Sequence, residues 1–206
     1  MRVFFLTAGR TASQTVALAA AHIDGMTAAH ESRRRMIEQR LEYPDNHIEV
    51  DNRLSWFLGS LERLYDDEET FYVFLKRDPE RIAASYIRRW HITVSIVRAF
   101  YHGILMCRNK KPTDDEKMAS ARLFVQTVED NIEAFLRTHP NHAVINTENL
   151  EADFMAFMDQ AGLEGDREAI RATLNSVNNT NKPKRSLGEK FLGLFSSASN
   201  DGRHSS

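Results

Sequence analysis

The sequence predicts an α/β domain built on a central, mainly parallel sheet of about five strands with helices on both faces. Short apolar runs rich in branched and aromatic residues (3–6, 25–29, 47–50, 71–75 and 142–146) alternate with stretches of helical periodicity. The segment Phe71 to Trp90 reads as strand, charged turn and helix, and that unit repeated with right-handed crossovers makes a parallel sheet. The length, 206 residues, suits one domain with a sizeable core. Residues 1–195 are expected to form that domain and 196–206 a flexible tail.

Composition narrows the function classes. A hydrophobic fraction of 42% and a charged fraction of 27% are ordinary for a globular chain. The formal net charge of −2 gives no global field to recruit nucleic acid or an anionic membrane, so neither is expected as a partner. Basic residues are instead local, at Arg33-Arg34-Arg35, Arg88-Arg89, Lys110-Lys111 and Lys182 to Arg185. Cys107 is the sole cysteine, which excludes an intrachain disulfide and a thiolate metal cluster. No apolar run is long enough for a signal peptide or a membrane span, and a cytoplasmic protein is expected.

In chain order, Val3-Phe4-Phe5-Leu6 is the first strand, buried on both faces. Thr7 to Ala12 is a small-residue turn, and Thr11-Ala12-Ser13-Gln14 fits a capping box opening an alanine-rich helix, Ser13 to His22. A strand, a tight turn and a helix N-terminus make an anion cradle, although the Gly-Lys-Ser/Thr ending of a Walker A loop is missing. Residues 25–29 are the second strand, ending at His30-Glu31. A polar helix is expected from Ser32 to Leu41, with Glu31 spaced to pair with Arg35.

His47 to Val50 is the third strand, and Asp51 to Tyr65 keeps the spacing of one amphipathic helix; Trp56 is expected in the core or an interface. After the acidic loop 66–69 comes the strand Phe71 to Leu75. Asp78 is a helix N-cap with Pro79 in the first turn, and Ile82, Ala83, Tyr86, Ile87 and Trp90 line one face, with Arg81, Ser85, Arg88 and Arg89 off it. Residues 91–106 read as further helix with a break at Gly103. Thr113 to Glu116 is a capping box for a long helix ending before Pro140; His142 to Asn146 is the last strand, and helices follow at 151–161 and 166–177.

Two of these stretches carry a resemblance. Arg77 at the end of a strand and Ser85 eight positions later resemble the 3′-phosphate motif of sulfotransferases that use 3′-phosphoadenosine 5′-phosphosulfate (PAPS). Gly9-Arg10-Thr11-Ala12-Ser13-Gln14 is similar to the 5′-phosphosulfate loop of the same family, with Ala12 where a glycine is usual and Gln14 where a hydroxyl is usual. Alanine at position 12 leads to the expectation that the loop does without a positive φ there.

The resemblance implies a P-loop-NTPase-like three-layer sandwich, PAPS as co-substrate, no metal, and in-line transfer of a sulfuryl group to the hydroxyl (or amine) of a small-molecule or carbohydrate acceptor. It assigns Arg10 to the leaving phosphosulfate bridge, Ser13 to the 5′-phosphate, and Arg77 with Ser85 to the 3′-phosphate. Glu31 becomes the catalytic base with His30 in reserve. Glu148, in Thr147-Glu148-Asn149-Leu150, takes a structural part, and Lys184 and Arg185 sit in a late basic loop that closes on the nucleotide. No histidine stands in Asp51-Asn52-Arg53, where the cytosolic small-molecule branch carries its base. A P-loop-like ATP-dependent kinase and a non-catalytic nucleotide-binding module are the alternatives; acceptor identity and oligomeric state are not written in the sequence.

Overall fold

A computed structural model describes residues 1–65 and 67–180, with side chains to residue 176. Five strands, β1 (Arg2–Leu6), β2 (Thr27–His30), β3 (His47–Val50), β4 (Thr70–Lys76) and β5 (His142–Asn146), form one sheet in the order β2-β3-β1-β4-β5. Every neighbouring pair is parallel; Phe5 of β1, for example, sits level with Val50 of β3 and Val73 of β4. The central strands have water on neither face, which is why they are continuous apolar runs rather than alternating ones.

The two-residue period of a strand divides those runs between two cores. Val3, Phe5, Val73 and Leu75 face one layer, closed by α1 (Ser13–Ala20), α6 (Leu150–Ala161) and α7 (Arg167–Thr180). Phe4, Leu6, Tyr72 and Phe74 face the other, closed by α2 (Leu58–Tyr65), α3 (Pro79–Ile87) and α5 (Asp114–Leu136). Rings such as Phe5 and Phe74 are fully enclosed, and truncating either to alanine costs about 3–5 kcal/mol. Alanines 17, 19 and 20 let α1 lie close to the sheet. The α1 end is clasped by the loop before α7: Ile23 bridges Gly165, where a Cβ would sit 2.4 Å from the His22 carbonyl oxygen.

The capping box predicted at Thr113 is formed in full with Glu116, and Asp78 accepts from the Arg81 N–H at 2.8 Å. Other expectations are corrected. Residues 32–41 form turns, not a helix, because their polar groups are drawn elsewhere. Ser32 gives its N–H and hydroxyl to the buried Glu49 carboxylate at 2.8 and 2.5 Å, and Arg40 is drawn to buried Asp51 at 2.6 Å. The expected helix 51–65 is split: Asp51 caps a 3-10 turn, Asn52–Trp56, which breaks at Phe57 before α2 begins.

Residues 91–106 are not continuous helix either. Turns lead to a short α4 (Ile96–Ala99) and then a wide π turn, Phe100–Ile104, that buries both Phe100 and Tyr101 and accommodates Gly103. Ser85, expected off the apolar face of α3, is 5% exposed, because it turns toward the loop after β1. Among the described residues no helix is long and apolar enough to cross a membrane, and no group of three or more His, Cys, Asp and Glu is gathered to hold a metal. Residues 181–206, including Lys184, Arg185 and the expected tail, lie outside the described residues.

Candidate functional site

The site is built where β1, β3 and β4 end together, the position at which open parallel sheets hold ligands. The loop leaving β1 is tied down on every side. Thr7 exchanges hydrogen bonds with Ser55 of the 3-10 turn, and its hydroxyl meets the Thr11 hydroxyl at 2.8 Å and accepts from the Gly9 N–H at 3.1 Å. The Tyr86 hydroxyl donates to the Ala8 carbonyl at 2.7 Å, and burial raises the Tyr86 pKa well above the ordinary phenol value. Gly9 has φ 84°, and a Cβ there would lie 2.5 Å from the Tyr86 hydroxyl, so only glycine fits.

Arg10 and Ala12 also have positive φ, 61° and 59°. The expectation that Ala12 avoids this region is therefore corrected: the fixed neighbours force it, at a cost of roughly 1–3 kcal/mol for such a residue. The expected capping box is corrected as well. Ala12 is the N-cap of α1 and supplies no side-chain cap, while the Thr11 hydroxyl is spent on Thr7. The backbone N–H groups of residues 10–14 consequently find no acceptor among the described residues. Bare amides in a left-handed turn at a helix N-terminus form a concave anion receptor.

Cations surround this receptor. Arg77, just past β4, donates from Nη1 to the Arg10 carbonyl at 2.8 Å, and Arg10 donates from Nε to the Ser85 hydroxyl at 3.0 Å. Burial lowers the Arg10 pKa, and the nearby guanidinium groups of Arg89, Arg77 and Arg88 lower it further. None of Arg10, Arg77, Arg81, Arg88 and Arg89 is ion-paired to a carboxylate among the described residues. Arg10 and Arg77, joined through the Arg10 carbonyl and without carboxylate partners, favour an anion at this loop.

The end of β2 supplies the polar neighbours. His30 Nε2 lies 2.9 Å from the Ser13 hydroxyl, which joins it to the loop. Glu31, with φ 52°, turns its carboxylate to Arg53 Nη1 at 3.0 Å, not to Arg35 as the helical spacing suggested. Arg53 is held in place by Asp51, whose carboxylate accepts from the Arg53 backbone N–H at 2.8 Å. The charges of Arg10 and Arg53 act against the burial that raises the Tyr86 pKa, and that of Glu31 adds to it.

Two clefts of similar size take in residues of this neighbourhood, Ala12 and Arg77 in one and Arg53 in the other. One, of about 660 Å³, is polar and is lined by Ala12, Arg77, Arg81, Glu148 and residues of α6 and α7. Glu148 accepts weakly, at 3.4 Å, from the Asp78 N–H, linking the ends of β4 and β5. The other, also about 660 Å³, is largely apolar and is walled by Trp56, Phe57, Ile96 and Phe100, with Arg40, Arg53 and Arg98 at its margins. Trp56 lines this cleft and is 38% exposed, so it is not enclosed in the core.

Of the residues singled out from sequence, the fold brings together Gly9 to Gln14, His30, Glu31, Arg77 and Ser85. Gln14 is exposed. Arg10 and Ser85, assigned to opposite ends of one nucleotide, touch each other here. Sequence reasoning missed Arg53, Tyr86, Arg88 and Arg89 as members of the site. Arg81 and Ser85 on α3, with Arg88 and Arg89 just past its end, fall off the apolar face at helical spacing, and that polar row was the available signal.

No family model matches the chain, and no curated protein matches it in sequence. A search of solved structures finds similarity to a sulfotransferase domain from the curacin biosynthetic pathway, with a TM-score of 0.55 and 12% identity, covering 94% of this chain and 96% of that one. At that identity the likeness concerns architecture, and it extends over nearly the whole length of both chains: this chain has a sulfotransferase-type fold.

Proposed function

We propose that this chain is a PAPS-dependent sulfotransferase that moves a sulfuryl group to an acceptor hydroxyl. The observation that carries the reading is the group of guanidiniums without carboxylate partners around a loop of unpaired amides. That donor set suits a substrate with a sulfated 5′-phosphate and a separate 3′-phosphate, since guanidinium grips such oxygens two at a time. It does not resemble the Gly-Lys-Ser/Thr cradle of a kinase, and the sulfotransferase-type architecture favours sulfuryl over phosphoryl transfer.

The amides of residues 10–14 and the Ser13 hydroxyl would hold the 5′-phosphosulfate, and Arg77 and Ser85 the 3′-phosphate beside the polar cleft. Glu31, oriented by Arg53 at the apolar cleft, would accept the proton of the acceptor hydroxyl. The acceptor oxygen then bonds to sulfur as the bond from sulfur to the 5′-phosphate oxygen breaks. The electron pair of that bond leaves with adenosine 3′,5′-bisphosphate. Fixed cations and amides supply most of the catalysis in such a loose transition state, so Arg10 is suited to the charge growing on the leaving oxygen. His30, bonded to Ser13, would keep that hydroxyl aimed at the phosphate.

The test is turnover. The purified chain, given PAPS and a panel of hydroxyl acceptors, is expected to release adenosine 3′,5′-bisphosphate in step with a sulfated product. Formation of ADP and a phosphorylated acceptor from ATP with magnesium, and no turnover of PAPS, would overturn the reading in favour of a kinase.

A further inference from the structure

The apolar cleft has an uneven charge pattern that bears on what enters it. Its walls include Trp56, Val94 and Ile104, which are 38%, 94% and 61% exposed. Apolar surface left this open beside a polar centre marks a binding face. Its lining holds three arginines and a histidine, and no aspartate or glutamate. Two of the arginines are already neutralised, Arg40 by Asp51 at 2.6 Å and Arg53 by Glu31 at 3.0 Å.

Arg98 is different. It makes one long hydrogen bond, from Nη1 to the Ile92 carbonyl at 3.4 Å, and its Nε is shut off from water with no acceptor. No carboxylate among the described residues pairs with it. A guanidinium that lines an apolar cleft with no carboxylate to offset its charge favours an incoming anion. His102, in the same lining, donates Nδ1–H to the Cys107 carbonyl at 3.0 Å, which leaves Nε2 for a ligand.

We infer that the acceptor is an amphipathic anion: an apolar chain or ring bearing a carboxylate or phosphate that pairs with Arg98, its reacting hydroxyl held at the Arg53 end beside Glu31. This inference rests on the sulfotransferase reading for the identity of the reacting group, but the selectivity of the cleft does not need the nucleotide. The apolar body covers Trp56 and Phe57, with its anion on Arg98 and its hydroxyl beside the Arg53–Glu31 pair. A neutral acceptor of the same shape offers the Arg98 guanidinium no counter-charge, and is disfavoured for that reason.

Calorimetric titration of the full chain without nucleotide tests this, using 10-hydroxydecanoate, 10-hydroxydecyl phosphate and 1,10-decanediol as probes. At least one anion is expected to bind on the order of tenfold or more tighter than the diol, the tighter of the two naming the headgroup. Arg98→Gln is expected to bring that anion down to the diol's affinity, and Arg98→Lys to retain part of the preference. Equal binding of anions and diol by the unmodified chain overturns the inference without any variant. A preference that survives Arg98→Gln overturns it too. Anion selectivity in a chain that fails to bind adenosine 3′,5′-bisphosphate would uphold the cleft's preference and sink the sulfotransferase reading, so the two failures are distinguishable.

Discussion

The Arg10 guanidinium donates to the Ser85 hydroxyl at 3.0 Å, across 75 positions of sequence, and so joins the loop after β1 to the helix after β4. This contact is where two independent stretches of sequence become one site. Arg77 closes the same ring by holding the Arg10 carbonyl at 2.8 Å. The adjacency of β1 and β4 in the sheet makes the ring possible.

Arg10→Ala removes the cation suited to the leaving oxygen but leaves the loop amides and Arg77 in place. Turnover of PAPS is expected to fall by about 10²–10³-fold. Affinity for adenosine 3′,5′-bisphosphate, read by calorimetry, should fall by a much smaller factor. Lost affinity with normal residual turnover would show that Arg10 serves binding alone.

Gly9→Ala places a Cβ 2.5 Å from the Tyr86 hydroxyl at a residue whose φ is +84°. The unfolding free energy in urea is expected to drop by roughly 1–3 kcal/mol. Gly59→Ala is the control, since that site is in α2 with nothing within 4 Å of the new methyl group. It should be neutral or gain up to about 1 kcal/mol.

Glu31→Gln keeps the shape of the side chain beside Arg53 and removes its ability to take a proton. A loss of about 10²–10⁴ in transfer rate is expected, with nucleotide affinity nearly unchanged. His30→Gln, which alters the contact to Ser13, should act on nucleotide affinity as well as on rate. If His30→Gln alone abolishes transfer, the base is His30.

Much of this architecture is legible in the sequence. The parallel strands announce themselves because burial on both faces leaves no room for polar residues, and Asp78-Pro79 and Thr113-Asp114-Asp115-Glu116 mark helix starts through local hydrogen bonding alone. Residues 32–41 were misread for the opposite reason. The groups that unmake a helix there, Glu49 and Asp51, are supplied by β3 and its end, so only the tertiary structure brings them near. Ala12 shows the same effect on a single φ: local preference speaks against the left-handed region, and the bonds of Thr7, Gly9 and Tyr86 override it. Arg53 was passed over because its meaning lies in Glu31, on another strand end.

Glu129, buried on α5, has its pKa raised, chiefly by desolvation, with Lys76 opposing and Glu133 and Asp130 adding to the rise. A carboxyl whose folded pKa exceeds its unfolded value favours folding below the unfolded value, near 4.3, and that contribution is lost as the pH climbs through the folded one. Glu129→Gln should therefore stabilise the chain at pH 7.5, and the advantage should disappear below about pH 4. Urea unfolding at the two pH values checks the sign.

The central claim is that the ring of Arg10, Arg77 and Ser85 receives a nucleotide phosphorylated at both 3′ and 5′ positions. Its most direct test is calorimetric titration of the full chain with adenosine 3′,5′-bisphosphate, adenosine 5′-monophosphate and ATP. A charge-assisted bond to the 3′-phosphate contributes about 1.5–3 kcal/mol, so the bisphosphate should bind at least about tenfold tighter than the monophosphate, and Arg77→Ala should erase that margin. Equal affinities for bisphosphate and monophosphate, or a magnesium-dependent preference for ATP, would contradict the account.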